Sequence, residues 1–158
     1  MNRVTTSQYD DLLLDAYRGE VFGEAFFGAL LDGALGAEHA AAIAALRDIE
    51  AQTASRLRTR VDAHGLQYAG DPHGEGTELG TASSAGSWSG FLSSLRQFLP
   101  DFLGRFEQLR ALDPADPVFD DLVAHEQAID RFAELALEGD EPAGLAVLRA
   151  HLATPAPA

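Results

Sequence analysis

Several stretches of the sequence have apolar residues at the spacing of one helix face. Five side chains that could bind a metal or transfer a proton lie within these patterns or beside them. Glu20 and Glu24 lie in the first such pattern, Glu50 in the second, and His125 in the fourth, with Glu126 on a neighbouring line. Each lies near the middle of its pattern. Carboxylates together with an imidazole suit iron or manganese, so the sequence predicts an acid-rich cluster inside an apolar core. The apolar partners are Leu13, Tyr17, Phe27 and Leu31, then Ile43, Leu46 and Leu57, then Val118, Leu122, Ile129 and Phe132.

The elements that must position these side chains are helices, because Ala and Leu dominate and no segment alternates with a period of two. Ser7, with Asp10 three residues later, predicts the first helix start. Pro100 is expected to kink or split the third helix, which carries no acid on its apolar face. Asp140 is expected to cap a short fifth helix. The predicted helices cover about 7–35, 37–64, 87–112, 117–138 and 140–152.

The lengths of the connections predict how the helices are arranged. The first two helices, and the third and fourth, are joined by short links, which make antiparallel neighbours. About 20 residues, 65–84, separate the two pairs, and an extended segment of that length spans roughly 60–70 Å. It can therefore cross a helix of roughly 40 Å. Two hairpins with one long crossover form the ferritin-like four-helix bundle. We expect one domain, 1–153, and a flexible tail, 154–158.

The composition excludes several classes of function. The 158 residues include 11 basic and 25 acidic side chains, a net charge of −14. We expect neither nucleic-acid nor membrane-surface binding, because both surfaces are anionic. The chain contains neither Cys nor Lys, which excludes thiol and Schiff-base chemistry. No apolar run approaches 18 residues and the N-terminus has no signal-peptide core, so we expect a cytoplasmic protein.

Three stretches of the sequence resemble a known group of proteins. They are Tyr17–Leu31, Leu46–Thr53 and His125–Ala136. On these stretches the chain resembles the ferritin-like superfamily of rubrerythrin-like and di-iron carboxylate proteins, in particular bacterial members with an incomplete metal site. The resemblance implies an iron or manganese site in the core of the bundle, at which dioxygen or a peroxide is activated.

The chain departs from the full di-iron pattern, which takes Glu from two helices and Glu-x-x-His from the other two. Thr53 follows Glu50 where a His is expected, and Ile129 follows Glu126 in the same way. The sequence favours one metal held by three main ligands, with one of two acids helping. The main ligands are Glu20, Glu50 and His125, and the helping acid is Glu24 or Glu126.

Three functions stay open at this point. The first is an iron- or manganese-dependent oxidoreductase with Glu24, Glu50 and His125 as catalytic candidates. Its small apolar substrate would lie in a pocket lined by Tyr17, Phe27, Trp88 and Phe91. The second is a metal-free bundle that uses buried Glu and His for acid–base chemistry or small-molecule binding. The third is a non-catalytic dimeric interaction protein whose acids are held by Arg, with Arg105 as the candidate partner.

The first helix has a second apolar line, which includes Phe22 and Phe26. A helix that is apolar on two sides needs cover on both. The crossover or a second copy of the chain could supply it, and we expect a homodimer. His39, His64 and His151 lie near predicted helix ends and are expected to face water.

Overall fold

The computed structural model describes residues 7–158, and within that range its regular secondary structure is entirely α-helical. The all-α prediction is therefore confirmed. There are six helices in this range, where the sequence predicted five, because the long connection contains a helix of its own. They are α1 (Gln8–Asp32), α2 (Ala34–Ala63), α3 (Pro72–Ser83), α4 (Trp88–Leu112), α5 (Val118–Leu137) and α6 (Glu141–Leu152).

Local sequence signals set most helix starts. Ser7 and Asp10 form the predicted capping box on α1, and Asp140 caps α6 by accepting a hydrogen bond from the Ala143 N–H. One predicted boundary is wrong, and one of the two alternatives at Pro100 does not occur. The break between α1 and α2 falls at Gly33 rather than near residue 36, with a kink at His39 inside α2. Pro100 does not split α4, which continues through it.

The paired helices are antiparallel, as their cross-contacts show. His64 at the end of α2 lies 2.9 Å from the Asp10 carboxylate at the start of α1, and Arg58 lies 3.4 Å from the Tyr17 hydroxyl. In the second pair, Arg96 of α4 donates to Asp130 of α5 at 2.8 Å. The short links therefore place the helices of each pair side by side, as predicted.

The connection between the pairs crosses the length of α1. It starts at His64, beside Asp10, and its far end places Ser84 against Gly33 at the other end of α1. This confirms the predicted crossing. The expectation of an irregular segment is wrong, because α3 occupies Pro72–Ser83. The signal was hidden because glycines, rather than large apolar residues, form the packed face of α3.

α3 covers the second apolar side of α1. A Cβ added at Gly76 or Gly80 would collide with the backbone carbonyl of Phe22 or Phe26, respectively. Both rings are half-buried. The crossover therefore supplies part of the cover that the sequence required, and the homodimer stays a prediction.

Two apolar clusters form the core, one toward each end of the long helices. The first includes Leu30, Leu46, Leu99, Ile129 and Phe132, and the second includes Leu13, Leu57, Phe106, Phe119 and Leu122. Buried acids and a histidine lie between them. None of the described helices is both long and apolar enough to cross a membrane.

Candidate metal centre

Four of the five predicted site residues converge in the middle of the core. The His125 Nε2 atom lies 3.4 Å from Glu20 Oε2 and 3.3 Å from Glu50 Oε1. It lies 3.8 Å from Glu126 Oε1. All four side chains are nearly inaccessible to solvent, with His125 at 0% and Glu20 at 2% exposure. We call these four residues the central cluster.

Helix packing brings the central cluster together. Glu20 comes from α1, Glu50 from α2, and His125 and Glu126 from α5. Each lies on its helix between residues of the two apolar clusters, so the packing on either side fixes its level. The midpoint argument from the sequence therefore placed these residues correctly.

A glycine that the sequence analysis missed makes room for one of the carboxylates. A Cβ added at Gly23 of α1 would overlap the Glu50 carboxylate. Gly inside a helix is unfavourable by about 1 kcal/mol relative to Ala. A glycine three residues after a buried Glu is therefore the signal that could have indicated it.

A backbone contact orients the imidazole of His125. Its Nδ1 lies 3.1 Å from the Leu122 carbonyl oxygen, and since a carbonyl can only accept, Nδ1 carries the proton that it donates. Nε2 therefore faces the three carboxylates. Histidines that bind metals are commonly held in this way by a backbone carbonyl.

Burial and neighbouring negative charges raise the pKa values of Glu20 and Glu126. The pKa of Glu20 is raised well above its usual value, first by burial and then by the charges of Glu50 and Glu126. Burial likewise raises the pKa of Glu126 to about 7. Burial alone would lower the pKa of His125, but the surrounding carboxylates raise it well above its usual value. The cluster therefore holds protons at neutral pH unless a cation takes their place.

No arginine among residues 7–158 forms an ion pair with the acids of the central cluster. Arg105, the expected partner, is exposed and lies over the Phe102 ring instead. Glu20 Oε2 and Glu126 Oε2 are buried without a hydrogen-bond partner. Ligand atoms of Glu20, His125 and Glu126 all lie within 4.8 Å of one another. This donor set fits a hard or borderline divalent metal.

Glu24 is not part of the central cluster. It lines a separate cavity of about 460 Å³ beside α3, together with Arg47 and His73. Its spacing of four residues from Glu20 places both on nearly the same face of α1, but Glu24 is only half-buried and lies at the edge of that face, toward α3. Thr53, at the position of the missing histidine, donates its hydroxyl proton to the Ile49 carbonyl at 3.0 Å.

A second buried polar group, which we call the arginine cluster, lies next to the central one. Arg56 donates to both carboxylate oxygens of Asp121 at 2.8 Å, and His151 Nε2 lies 3.8 Å from the same carboxylate. The rings of His151 and His125 are 6.3 Å apart. The expectation that His151 faces water is wrong, because α6 folds back against α2 and α5 and buries it.

His39 also departs from the expectation of a water-facing histidine. It stacks on Trp88 at 4.0 Å between ring centroids, and its Nδ1 lies 2.8 Å from the Glu141 carboxylate. His64 is more exposed, with 42% of its side-chain surface accessible.

A largely apolar cavity of about 710 Å³ opens beside the central cluster, between α1, α3 and α4. Glu20, Glu50 and Glu126 form part of its wall. Of the four residues predicted to line a substrate pocket, Phe27 and Phe91 do so. Tyr17 and Trp88 do not, because Tyr17 packs in the other apolar cluster and Trp88 stacks on His39.

No protein-family model, curated protein or solved structure matches the chain.

Proposed function

We propose that this chain is a ferritin-like protein that binds one iron or manganese ion in the central cluster and acts as an oxidoreductase. One observation carries the proposal. Three carboxylates from three helices surround a single imidazole nitrogen, two of their buried oxygens have no partner, and no guanidinium of residues 7–158 pairs with them. A buried charge without compensation costs several kcal/mol even after relaxation, so the arrangement is suited to hold a cation.

The path of the chain supports the ferritin-like assignment. Two antiparallel helix pairs are joined by a segment that runs the length of α1, which is the connectivity of ferritin-like bundles. Buried positions of α4 are apolar, namely Leu92, Leu99, Phe106 and Leu109. Because the α4 wall supplies no buried acid, the residues favour one metal over a di-iron centre.

Each residue of the central cluster would have a distinct role. Glu20, His125 and Glu126 would hold the metal, and Glu50, whose Oε1 lies 3.3 Å from His125 Nε2, would lie beside it. In the metal-free protein the pKa of Glu126 is raised to about 7, so metal binding near neutrality would release a proton from this carboxyl group. The apolar walls exclude water from the cluster. The metal, when bound, would supply the redox step with dioxygen or a peroxide.

Metal binding to paired variants tests the proposal. Glu20→Gln removes one carboxylate charge from the central cluster, whereas Glu24→Gln changes an acid one turn away that lies outside it. Titration of chelator-treated protein with Mn²⁺ in a calorimeter should show binding to the wild type and to Glu24→Gln. Glu20→Gln should bind at least about 100-fold more weakly, because Glu20 would be a direct ligand and changes to outer-shell partners alone already cost about 10–100-fold.

Three results would contradict the proposal: no Mn²⁺ or Fe²⁺ binding to the wild type, equal affinities for the two variants, or a loss confined to Glu24→Gln. Metal analysis of protein purified without a metal-affinity tag supplies an independent readout.

The pKa of about 7 at Glu126 supports a second candidate function, metal-free acid–base catalysis. A carboxyl group that titrates near neutrality can both donate and accept protons. This candidate predicts that no divalent metal binds. It also predicts that the Glu126 carboxyl carbon, followed by NMR, titrates with a midpoint near 7.

A further inference from the structure

The cavity beside the central cluster is elongated along α4. Its lining extends from Gly90 to Phe106 on that helix, and from Asp15 to Phe27 on α1. The sixteen helical steps from Gly90 to Phe106 correspond to roughly 24 Å. Its volume of about 710 Å³ lies within the range of about 300–1,000 Å³ that is typical of small-molecule sites. The shape favours a long, narrow occupant.

The walls of this cavity are dominated by aromatic and aliphatic side chains, several of which are exposed to solvent. Phe98 is 59% exposed, Leu79 51% and Phe102 39%, and all three line the cavity. Exposed large apolar residues that surround one cavity mark a binding site more often than a plain surface. An apolar chain between α1 and α4 would cover them.

Arg105 carries the single positive charge among the described residues that line the cavity. No carboxylate of residues 7–158 forms an ion pair with it, whereas Arg96 and Arg110 of the same helix both pair with acids of α5. Its contact is with the Phe102 ring, at 5.7 Å from the centroid. On a chain with a net charge of −14, an unpaired guanidinium at an apolar cavity is suited to bind a carboxylate.

We infer that the cavity binds a single-chain amphipathic carboxylic acid, with its carboxylate on Arg105 and its apolar chain along α4. This inference rests on the proposed function, since it names the substrate class of the same site. The wall fixes the orientation of the ligand. Asp15, Glu20, Glu50 and Glu126 also line the cavity and repel an anionic group. Arg105 is the one described lining side chain that attracts it, so the charged head lies there and the apolar chain runs along α4 toward Gly90.

Displacement of a fluorescent fatty acid, 11-(dansylamino)undecanoic acid, tests this inference on metal-free and Mn²⁺-treated protein. Hexadecanoic acid should displace the probe at least 10-fold more effectively than 1-hexadecanol. Arg105→Gln should remove that preference. Arg110→Gln, which changes a paired arginine of the same helix outside the cavity lining, should retain it. Equal displacement by acid and alcohol in the wild type would overturn the inference.

A second pair of variants tests the location. Ser94 lines the cavity and its neighbour Ser93 does not, and both are exposed. Ser94→Trp should therefore reduce probe binding at least 10-fold, while Ser93→Trp leaves it unchanged. Equal effects, or no probe binding to the wild type, would overturn the inference. A further result would also overturn the inference: the wild type is a dimer in sedimentation equilibrium, and Ser94→Trp dissociates it while Ser93→Trp does not. A second copy of the chain would then occupy the cavity. Since the metal-free protein is included, failure here is distinguishable from failure to bind metal.

Discussion

Two buried polar clusters lie side by side in this core, and they balance their charges differently. In the arginine cluster, the Arg56 guanidinium donates to both oxygens of Asp121, and its other nitrogen donates to the Thr154 carbonyl at 2.8 Å. In the central cluster, three carboxylates face one imidazole. In the first cluster the charges of Arg56 and Asp121 balance within the chain, although His151 Nε2 is buried without a hydrogen-bond partner. The second cluster needs protons or a cation from outside to balance its carboxylates.

The difference separates a structural role from a functional one. A buried ion pair with satisfied hydrogen bonds holds α2 to α5, and the Thr154 contact ties the start of the predicted tail to the domain. Carboxylates held close together with raised pKa values are typical of functional sites. Both clusters place carboxylates beside a histidine within one core, and an arginine is present only in the first, so charge compensation, rather than burial, distinguishes them.

The largest expected effect comes from breaking the arginine cluster. Asp121→Ala leaves the Arg56 guanidinium buried without its partner, since both side chains are less than 10% exposed. We expect the free energy of unfolding to fall by about 3–5 kcal/mol, as measured by urea denaturation. Asp120→Ala, at a neighbouring exposed position that pairs with Arg110 at 3.6 Å, should change it by less than about 1 kcal/mol. Similar losses for both variants would remove the contrast between the clusters.

The sequence could predict the all-α fold, the crossing of the long connection and the convergence of four of the five candidate residues. Helical spacing and position along the helix decide those features. It could not place Glu24. Because α1 is apolar on two sides, residue spacing alone does not show which side packs in the core and which side packs against α3. Nor could it predict the burial of His151, which depends on how α6 packs.

The central cluster should make the metal-free protein less stable as the pH rises. In the folded state Glu126 has a pKa of about 7, against a usual value of 4.5. The folded protein therefore favours the protonated form of Glu126. Its contribution to the free energy of unfolding is full below about pH 4.5 and is lost as the pH rises through 7. The raised pKa of His125 acts in the same direction. The loss attributable to Glu126 is about 3 kcal/mol.

The variant Glu126→Gln isolates this effect, because the amide resembles the protonated acid. Near pH 4 the variant and the wild type should have similar unfolding free energies, and at pH 8 the variant should be more stable by about 3 kcal/mol. Glu24→Gln provides the control outside the cluster. If the wild type and Glu126→Gln show the same dependence on pH, the carboxyl group of Glu126 is not protonated in the folded state.

Metal should stabilise the fold through one histidine and not through the other. At a Mn²⁺ concentration 100 times the dissociation constant, the unfolding free energy should rise by about 2.7 kcal/mol. For each variant, the stabilisation by metal is the difference in unfolding free energy between its Mn²⁺-treated and metal-free forms. This stabilisation should persist in His151→Ala and vanish in His125→Ala. The two rings lie 6.3 Å apart, so this pair tests which cluster takes the cation. A gain lost in both variants would mean that the clusters act as one site.

The smallest expected effect concerns the space that the central cluster requires. A Cβ at Gly23 would overlap the Glu50 carboxylate, whereas a Cβ at Gly19, one turn earlier on α1, meets no atom within 4 Å. Because the group that must move is the end of a flexible side chain, Gly23→Ala should displace the Glu50 carboxylate rather than the backbone.

Both substitutions gain up to about 1 kcal/mol of helix propensity, so Gly19→Ala should be more stable than the wild type and bind Mn²⁺ as tightly. Gly23→Ala should bind Mn²⁺ about 10-fold more weakly, the lower end of what changes around a metal ligand cost. Unchanged affinity in Gly23→Ala would show that the position of the Glu50 carboxylate does not matter to the metal, and would reduce the site to Glu20, His125 and Glu126.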